Sequence, residues 1–308
     1  MAINRDAMQT EIREVARKWI EAGEVRFVLG WEKSPNSDLS RPIFASSADD
    51  ASRLVWNGLC TGNLTRYLVD ELRKKPKRGE EPDCRPIGIV VKPCDSKALV
   101  ELTKEKQIPE GSIKVIGVTC EGQLDPSRPE PGNDAYAKAD KCSVCHNHNP
   151  LMADVVIGDE VAETSKLEDD DFSDVKGLEE MTTKERWEFW KRQSERCVRC
   201  YACRDACPMC YCVECIFDRE KPYRWNDKTV DVPENVFYHV IRGLHLAGRC
   251  IDCGECERAC PMDIPIRKIN RYLMKRAYQR FGVKPGQDPE DESMFGSFDM
   301  NDPQEEIW

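Results

Sequence analysis

The chain has 308 residues, of which 40% are hydrophobic, so it is long enough to form two domains with buried cores. It carries 46 Lys and Arg against 56 Asp and Glu, and the formal net charge of -10 disfavours binding to nucleic-acid phosphates. Its apolar runs are all shorter than the ~18 residues that a membrane-spanning helix needs. These properties favour a protein without nucleic-acid partners and without a membrane span.

The first elements alternate between helical and extended patterns. Five apolar residues at helical spacing predict an N-terminal helix: Ile12, Val15, Ala16, Trp19 and Ile20. An extended segment follows over residues 25–29, and a glycine-bounded turn over residues 57–62 leads into a second helix. The predicted apolar face of that helix consists of Leu64, Tyr67, Leu68 and Leu72.

A strand, a helix and a second strand come next. Residues 87–91 (IGIVV) predict a buried strand, Asp95 is the expected N-cap of a helix, and residues 113–118 (IKVIGV) predict the second strand. This order implies a right-handed parallel crossover. We therefore expect residues 1–160 to form an α/β domain with a small parallel sheet.

Four cysteines are expected at one edge of this sheet. Cys94 and Cys120 each follow a predicted strand, and open parallel sheets bind ligands at the carboxyl ends of their strands. Cys142 and Cys145 form a C-x2-C pair just before another apolar stretch, residues 154–158. Our hypothesis is a 4Fe-4S cluster held by these four thiolates. Zinc stays open as the alternative, because His146 and His148 lie beside Cys145 and imidazole mixes readily with thiolate at zinc sites.

Four short motifs resemble the beta-subunit family of deazaflavin-coenzyme-reducing hydrogenases and dehydrogenases, to which formate dehydrogenase beta subunits belong. They are KPC at residues 92–94, VTCEG at 118–122, CSVC at 142–145 and ADVVIGD at 153–159, and the resemblance covers roughly residues 50–160. In that family the matching cysteines would ligate a cluster near a flavin. The resemblance therefore supports the cluster hypothesis.

The same resemblance raises the question of FAD. Family members usually continue the flavin-binding domain well past the Gly-Asp motif, whereas here an acidic segment follows Asp159. The chain also lacks a G-x-G-x-x-G dinucleotide fingerprint. We expect no FAD in this chain, and a flavin-containing beta subunit is the alternative.

The acidic segment predicts a domain boundary. Residues 161–181 read as a solvated acidic linker, because the acids at 168–171 repel one another. Thr182 and Glu185 then form a capping box at the start of a helix that leads to Cys197. The predicted second domain covers residues 182–283, and an acidic and aromatic tail covers residues 284–308.

Two cysteine runs dominate the second domain, and each has the spacing C-x2-C-x2-C-x3-C-P. They consist of Cys197, Cys200, Cys203 and Cys207, and of Cys250, Cys253, Cys256 and Cys260. This is the signature of bacterial ferredoxins with two 4Fe-4S clusters, in which the fourth cysteine of each run ligates the other cluster. A structural zinc site does not explain the third and fourth cysteines of each run. Disulfides among the 17 cysteines are not expected either, because the sequence shows no secretory signal that would indicate an oxidising compartment. The sequence predicts an α+β two-cluster ferredoxin-like domain with an insertion.

The insertion carries three further cysteines. Cys210, Cys212 and Cys215 could hold a fourth cluster together with Cys60. The alternative is that these cysteines and Cys84 are packed thiols. We expect His239 and His245, which lie on the helix before the second run, to make packing or partner contacts.

Several 4Fe-4S clusters without a recognisable substrate site predict an electron-transfer subunit of an anaerobic multi-subunit oxidoreductase. Its partners would be other subunits of a redox complex, such as a flavoprotein, a hydrogenase or a formate dehydrogenase-like enzyme, and the expected compartment is the cytoplasm. The alternatives are a flavin-containing beta subunit with formate-, deazaflavin- or NAD(P)-linked chemistry, and a structural or sensing iron-sulfur protein. We assign no catalytic residue.

Overall fold

A computed structural model describes residues 4–129, 136–162, 172–220, 227, 229–296 and 300–301. The chain divides into two compact units. The first contains Met1–Asp169 and Gly286–Asp291, and the second contains Asp170–Pro285 and Glu292–Trp308. Among the described residues, no helix is both long and apolar enough to cross a membrane.

The first unit is built on a five-stranded, mostly parallel sheet. Its strands are β1 (Val28–Lys33), β2 (Ser40–Ala45), β3 (Ile87–Val91), β4 (Ile113–Val118) and β7 (Val155–Ile157). They lie in the order β2-β1-β3-β4-β7, and every pairing is parallel except the antiparallel edge pair of β1 and β2. A separate pair of strands is formed by β5 (Leu124–Pro129) and β6 (Tyr136–Lys138).

The described part of the first unit also contains five helices. They are α1 (Arg5–Glu21), α2 (Ala48–Ser52), α3 (Thr65–Leu72), α4 (Pro93–Lys104) and α5 (Asp140–Ser143). Helix α1 buries Ile12, Ala16 and Trp19, as its apolar spacing predicts. In α3, Leu68 is buried but Tyr67 is 42% exposed, so the predicted apolar face is narrower than the spacing suggested.

The strand-helix-strand prediction is confirmed by β3, α4 and β4. All five residues of β3 are buried, which explains why its sequence is a continuous apolar run. The prediction of Asp95 as N-cap is wrong, because the N-cap is Lys92 and Pro93 occupies the first helical turn. Asp95 lies at the third helical position, where its carboxylate accepts a hydrogen bond from the Lys92 N–H at 3.1 Å. The helix thus begins at Pro93, one residue before Cys94.

The second unit is helical in its described part. Its helices are α6 (Ser173–Glu180), α7 (Thr183–Arg196), α8 (Ala202–Asp205), α9 (Val232–Leu246), α10 (Glu255–Arg258) and α11 (Arg267–Phe281). No strand occurs among the described residues of this unit, so the expected α+β arrangement is not seen there. The segments that precede the two cysteine runs form α7 and α9, which confirms the two predicted helices.

Helix α6 lies within the predicted acidic linker, and for this part the linker prediction is wrong. Val175 is 1% exposed, and Phe172 just before the helix is 3% exposed. The Asp174 carboxylate accepts hydrogen bonds from Arg271 and forms an ion pair with Arg267, both on α11. Asp174 is therefore a half-buried partner of two arginines and not a fully solvated charge. Residues 163–171 of the predicted linker lie outside the described residues.

The two cysteine runs repeat the same backbone conformation. Arg199 and Asp252, which occupy equivalent positions, both have positive φ (47° and 57°). Tyr201 and Gly254 are the next equivalent pair, with φ of 62° and 69°. Left-handed residues turn the chain sharply, and outside glycine they are uncommon. In both runs the cysteine segment therefore curls twice before it enters a short helix, α8 or α10.

Candidate metal centres

The first group of thiols combines three cysteines of the first run with one of the second. The pKa of Cys197 is raised by burial, and further by the nearby thiols of Cys203, Cys260 and Cys200. Burial also raises the pKa of Cys203, which interacts with Cys260 and Cys200 as well. Cys197 and Cys260 also pack against the buried cluster that contains Cys203. The structure thus brings together Cys197, Cys200, Cys203 and Cys260.

The second group has the reciprocal composition. Burial raises the pKa of Cys250 to about 12, and the thiols of Cys253 and Cys207 act in the same direction. The pKa of Cys256 is raised by burial and by Cys207 and Cys250. Cys207, from the first run, therefore lies with three cysteines of the second run. Cys203 of the first run also acts on the pKa of Cys256, so thiols of both runs lie close together and the crossed ligand sets stay a prediction from the spacing.

Side chains from α9 and α11 contact individual sulfur atoms. His239 Nε2 lies 3.4 Å from Cys197 Sγ, and the Tyr238 hydroxyl lies 3.5 Å from Cys203 Sγ. The Asn270 amide lies 3.8 Å from Cys256 Sγ. Hydrogen bonds to ligand sulfur are a main determinant of cluster potential. His239 is buried and packs against Tyr238, as the packing prediction expects, and its ring also contacts a candidate ligand, which the sequence did not show.

A buried arginine near the thiols indicates whether an anionic metal cluster fits this site. Arg242 is 5% exposed, and its Nη2 donates to the Cys203 carbonyl at 3.0 Å. Its Nε is buried without a hydrogen-bond partner, and no carboxylate in the described part of the chain pairs with it. A buried guanidinium is costly without an opposite charge. Iron-sulfur clusters with thiolate ligands are anionic and would supply that charge, so these residues fit the cluster assignment.

The third group lies at the carboxyl edge of the sheet in the first unit. Cys94 occupies the first turn of α4 after β3, Cys120 follows β4, and Cys142 lies in α5. Burial is the main cause that raises the pKa values of Cys94 and Cys120, and these two thiols also interact with each other. Cys145 interacts with Cys142 and Cys120. The structure thus brings the four predicted cysteines together.

Backbone N–H groups point at the sulfur atoms of this third group. Gly122 N donates to Cys120 Sγ at 3.3 Å, and Gln123 N donates to Cys142 Sγ at 3.3 Å. Gly122 has φ of 123°, and a Cβ atom there would lie 3.2 Å from the Cys142 Cβ. A side chain at this position would strain the backbone and press on a candidate ligand. Thiolate acceptors suit both N–H donors.

Lysines surround the third group. Lys92 is 1% exposed, and its ammonium pairs with Asp95 at 2.9 Å and donates to the Gly62 carbonyl at 2.7 Å. Burial lowers the pKa of Lys92, but the charges of Asp95 and Cys94 outweigh that effect and raise it. Lys141 interacts with Cys94, and Lys97 interacts with Cys145. Positive charge near thiols favours their ionised, metal-binding form.

The neighbouring histidine has another partner. His148 Nδ1 lies 2.8 Å from the Cys120 carbonyl oxygen, and Cys145 Sγ donates to the Asn147 carbonyl at 3.2 Å. The second contact needs a protonated thiol, so Cys145 must turn away from Asn147 when it binds metal. In the described part of the chain, no three Cys, His, Asp or Glu side chains surround a single ion position. The thiolates of a cube bind different irons and lie farther apart than the ligands of one ion, so a 4Fe-4S site is compatible with this arrangement.

The remaining cysteines have contacts of other kinds. Cys60 is fully buried in the first unit, and its thiol lies 3.6 Å from both Ser40 Oγ and the Val55 carbonyl. In the second unit, a hydrogen bond with Cys207 lowers the pKa of Cys210. The other unassigned thiols are Cys84 and Cys212, both exposed, and the half-buried Cys215. The contacts of Cys60 are those of a packed thiol, and the fourth cluster stays a hypothesis.

The cysteine runs match a known domain family. Residues 196–265 match the family model described as a 4Fe-4S dicluster domain. The second unit contains a 4Fe-4S dicluster domain. This match confirms the prediction of multiple 4Fe-4S clusters from the repeated spacing.

Curated relatives cover most of the chain. It is 25% identical to the F420-dependent formate dehydrogenase subunit beta of Methanocaldococcus jannaschii, over 66% of this chain and 74% of the relative. It is 24% identical to the F420-dependent formate dehydrogenase 1 subunit beta of Methanococcus maripaludis, over 88% of this chain and 89% of the relative. The resemblance to formate dehydrogenase beta subunits is therefore confirmed, and so is the prediction of an iron-sulfur electron-transfer subunit.

Proposed function

We propose that this chain relays single electrons through three 4Fe-4S clusters between a partner redox enzyme and an acceptor, as a subunit of an F420- or formate-linked oxidoreductase complex. The observation that carries the proposal is the match of residues 196–265 to a 4Fe-4S dicluster domain, and the interactions of Cys207 with Cys250 and of Cys260 with Cys197 support crossed ligation. When bound, the clusters supply one-electron redox chemistry. The partner class follows from the names of the relatives.

The residues around the thiols would have two different roles in electron transfer. Tyr238, His239 and Asn270 contact ligand sulfur, and they would set how readily each site accepts an electron. Cys200 is exposed, whereas its counterpart Cys253 is 8% exposed. The site that contains Cys200 is therefore the more accessible one for exchange with a partner, and the 52%-exposed Val198 beside it offers an apolar contact.

The test is the content of iron, acid-labile sulfide, zinc and flavin per chain after anaerobic purification. About twelve irons without flavin support three cubes and an electron conduit. About eight irons with one flavin would contradict the third cube and make the first unit a flavoprotein. Zinc in place of iron would overturn the proposal as a whole.

The third site has its own variant. Cys94→Ser removes a thiol that lies beside Cys120, so we expect about four irons to be lost while the signals of the other two clusters persist. Cys84→Ser is the matched control, because Cys84 is exposed and its Sγ contacts only the Pro82 carbonyl among the contacts that the structure describes. An unchanged iron content in Cys94→Ser would exclude the third cluster.

A further inference from the structure

Arg242 occupies a position that the two-cluster signature does not require. It lies on α9, one turn from Tyr238 and His239, on the side of the helix that faces the cysteine runs. The side chain is 5% exposed, and its Nη2 is fixed at 3.0 Å from the Cys203 carbonyl. The guanidinium is therefore held in place from within the protein and is not a surface charge that happens to lie nearby.

Arg242 donates to the carbonyl of Cys203, and Cys203 packs in one buried cluster with Cys256 of the second run, so the charge of Arg242 lies near thiols of both groups. Burial lowers the pKa of Arg242, but the thiols of Cys207, Cys210, Cys256 and Cys203 outweigh that effect and raise it well above its usual value. Cys203 belongs to the first thiol group, whereas Cys207 and Cys256 belong to the second. In the described part of the chain no carboxylate neutralises this guanidinium.

The other side chains that contact sulfur act on one group only. His239 contacts Cys197 of the first group, and Asn270 contacts Cys256 of the second. A metal-bound thiolate has no proton to donate, so His239 Nε2 must be the donor in its contact with Cys197. Because each of these side chains contacts a thiol of one group only, substitutions of His239 and Asn270 are controls for the effect of Arg242 on both groups.

We propose that Arg242 is a positioning residue that serves as the shared counter-charge of the two 4Fe-4S clusters and raises both reduction potentials together. Each cluster gains one negative charge on reduction, and a fixed positive charge in a poorly solvated position favours that form. One guanidinium between thiols of both groups would hold the two potentials in a common range, which suits a relay in which electrons pass in sequence. This inference rests on the proposed function, since it assumes clusters at the eight cysteines.

The test compares Arg242→Gln with Arg242→Lys by potentiometric titration monitored by electron paramagnetic resonance, after iron and sulfide are measured. In Arg242→Gln, the ratio of reduced to oxidised form at a fixed solution potential should fall at least tenfold for both clusters, which is 59 mV for a one-electron couple. In Arg242→Lys the charge is retained but the guanidinium that donates to the Cys203 carbonyl is lost, so both ratios should fall together but by less.

Two one-sided variants sharpen the comparison. His239→Phe removes the contact with Cys197, and Asn270→Leu removes the contact with Cys256, so each should lower the potential of one cluster only. A shift of one cluster alone in Arg242→Gln, or of neither, would overturn the shared role. If Arg242→Gln loses iron, the reduction potentials of Arg242→Lys are the test. A shift of the potential of one cluster only, or of neither, in Arg242→Lys would then overturn the proposal.

Failure of this inference can be told apart from failure of the proposed function. Wild-type protein without iron at the second unit would contradict the clusters themselves. Wild-type protein that holds about eight irons there, with potentials that do not respond to Arg242, would leave the relay intact and remove only the role of the arginine.

Discussion

The two units differ in what forms their cores. In the first unit the sheet is packed by aliphatic residues, and β3 is buried along its whole length. In the second unit the main described apolar cluster contains Cys203 and Cys256 themselves, together with Tyr238, Ile264 and Ile266. The candidate ligands of the second unit are thus part of its core, whereas those of the first unit lie at the edge of a core that exists without them.

The two units also differ in how charge is arranged around their thiols. At the third group, Lys92 is paired with Asp95, so much of its charge is already compensated. In the second unit, Arg242 has no carboxylate partner among the described residues. Metal would therefore relieve an uncompensated charge in the second unit but not in the first.

The largest effect is expected from removal of the metal. Without iron, the second unit should lose its ordered structure, because its thiols would repel one another when ionised and its aliphatic core is small. The first unit should stay folded. Limited proteolysis followed by mass spectrometry would check this, with early cleavage expected within residues 197–260 and late cleavage within β3 and β4. Equal protection of the two units in the apo protein would remove the contrast between their cores.

Loss of a single ligand from one run should affect the cluster that contains the other run. Cys207→Ser should reduce the iron content by about four and abolish the signal of the cluster that involves Cys250, Cys253 and Cys256. Cys260→Ser should abolish the other signal. Iron analysis combined with electron paramagnetic resonance distinguishes the two variants. If each variant lost the cluster of its own run, the crossed grouping would be wrong.

A smaller effect is expected from the ion pairs that join α6 to α11. Asp174→Asn removes the carboxylate that contacts Arg267 and Arg271, and Arg271 is 1% exposed. The change should lower the free energy of unfolding of the second unit by about 2 kcal/mol, since Asp252 still pairs with both arginines. Chemical denaturation under anaerobic conditions measures this.

The control for Asp174→Asn is Glu180→Gln on the same helix. The Glu180 side chain is 67% exposed and lies 4.0 Å from Lys176, so its loss should change the unfolding free energy little. Similar destabilisation by both substitutions would show that α6 is held by something other than the buried pairs.

The smallest effect concerns the start of α7. Thr182 Oγ1 accepts a hydrogen bond from the Glu185 N–H at 3.3 Å, so Thr182→Ala should destabilise the second unit by about 1 kcal/mol. Thr183→Ala, at the next position, removes no capping bond of this kind and is the control. Thermal denaturation of the iron-loaded protein compares them, and equal melting temperatures would show that metal binding, not helix capping, limits stability.

Sequence predicted most reliably where one physical requirement dominates a segment. The spacing of the eight cysteines predicted multiple 4Fe-4S clusters, which the family match confirms, because a cluster needs ligands at fixed separations. β3 and β4 were predictable because both are short apolar runs, and the capping box of Thr182 and Glu185 because it is a local pattern.

Other features depend on tertiary contacts that no local pattern shows. β2 was missed because Pro42 and exposed residues interrupt its apolar pattern, as is usual for an edge strand. α6 was assigned to a linker because the arginines that neutralise Asp174 lie on α11, far along the chain. On α9 the apolar residues Val240 and Leu244 are half exposed, whereas the polar residue Arg242 is buried. A prediction that buries the apolar residues of this helix and exposes its polar ones is therefore wrong for both faces.

The crossed ligation that the cysteine spacing predicts has a consequence for the order of biosynthesis. The thiols of the third group are all present once the chain has been made as far as Cys145, so iron could be inserted there while the second unit is still being translated. The second thiol group is complete only when Cys256 has been synthesised. The first thiol group is complete only when Cys260 has been synthesised, although Cys197, Cys200 and Cys203 were made more than fifty residues earlier. An exposed set of early cysteines would then depend on assembly factors or on rapid completion of the chain for protection from oxygen.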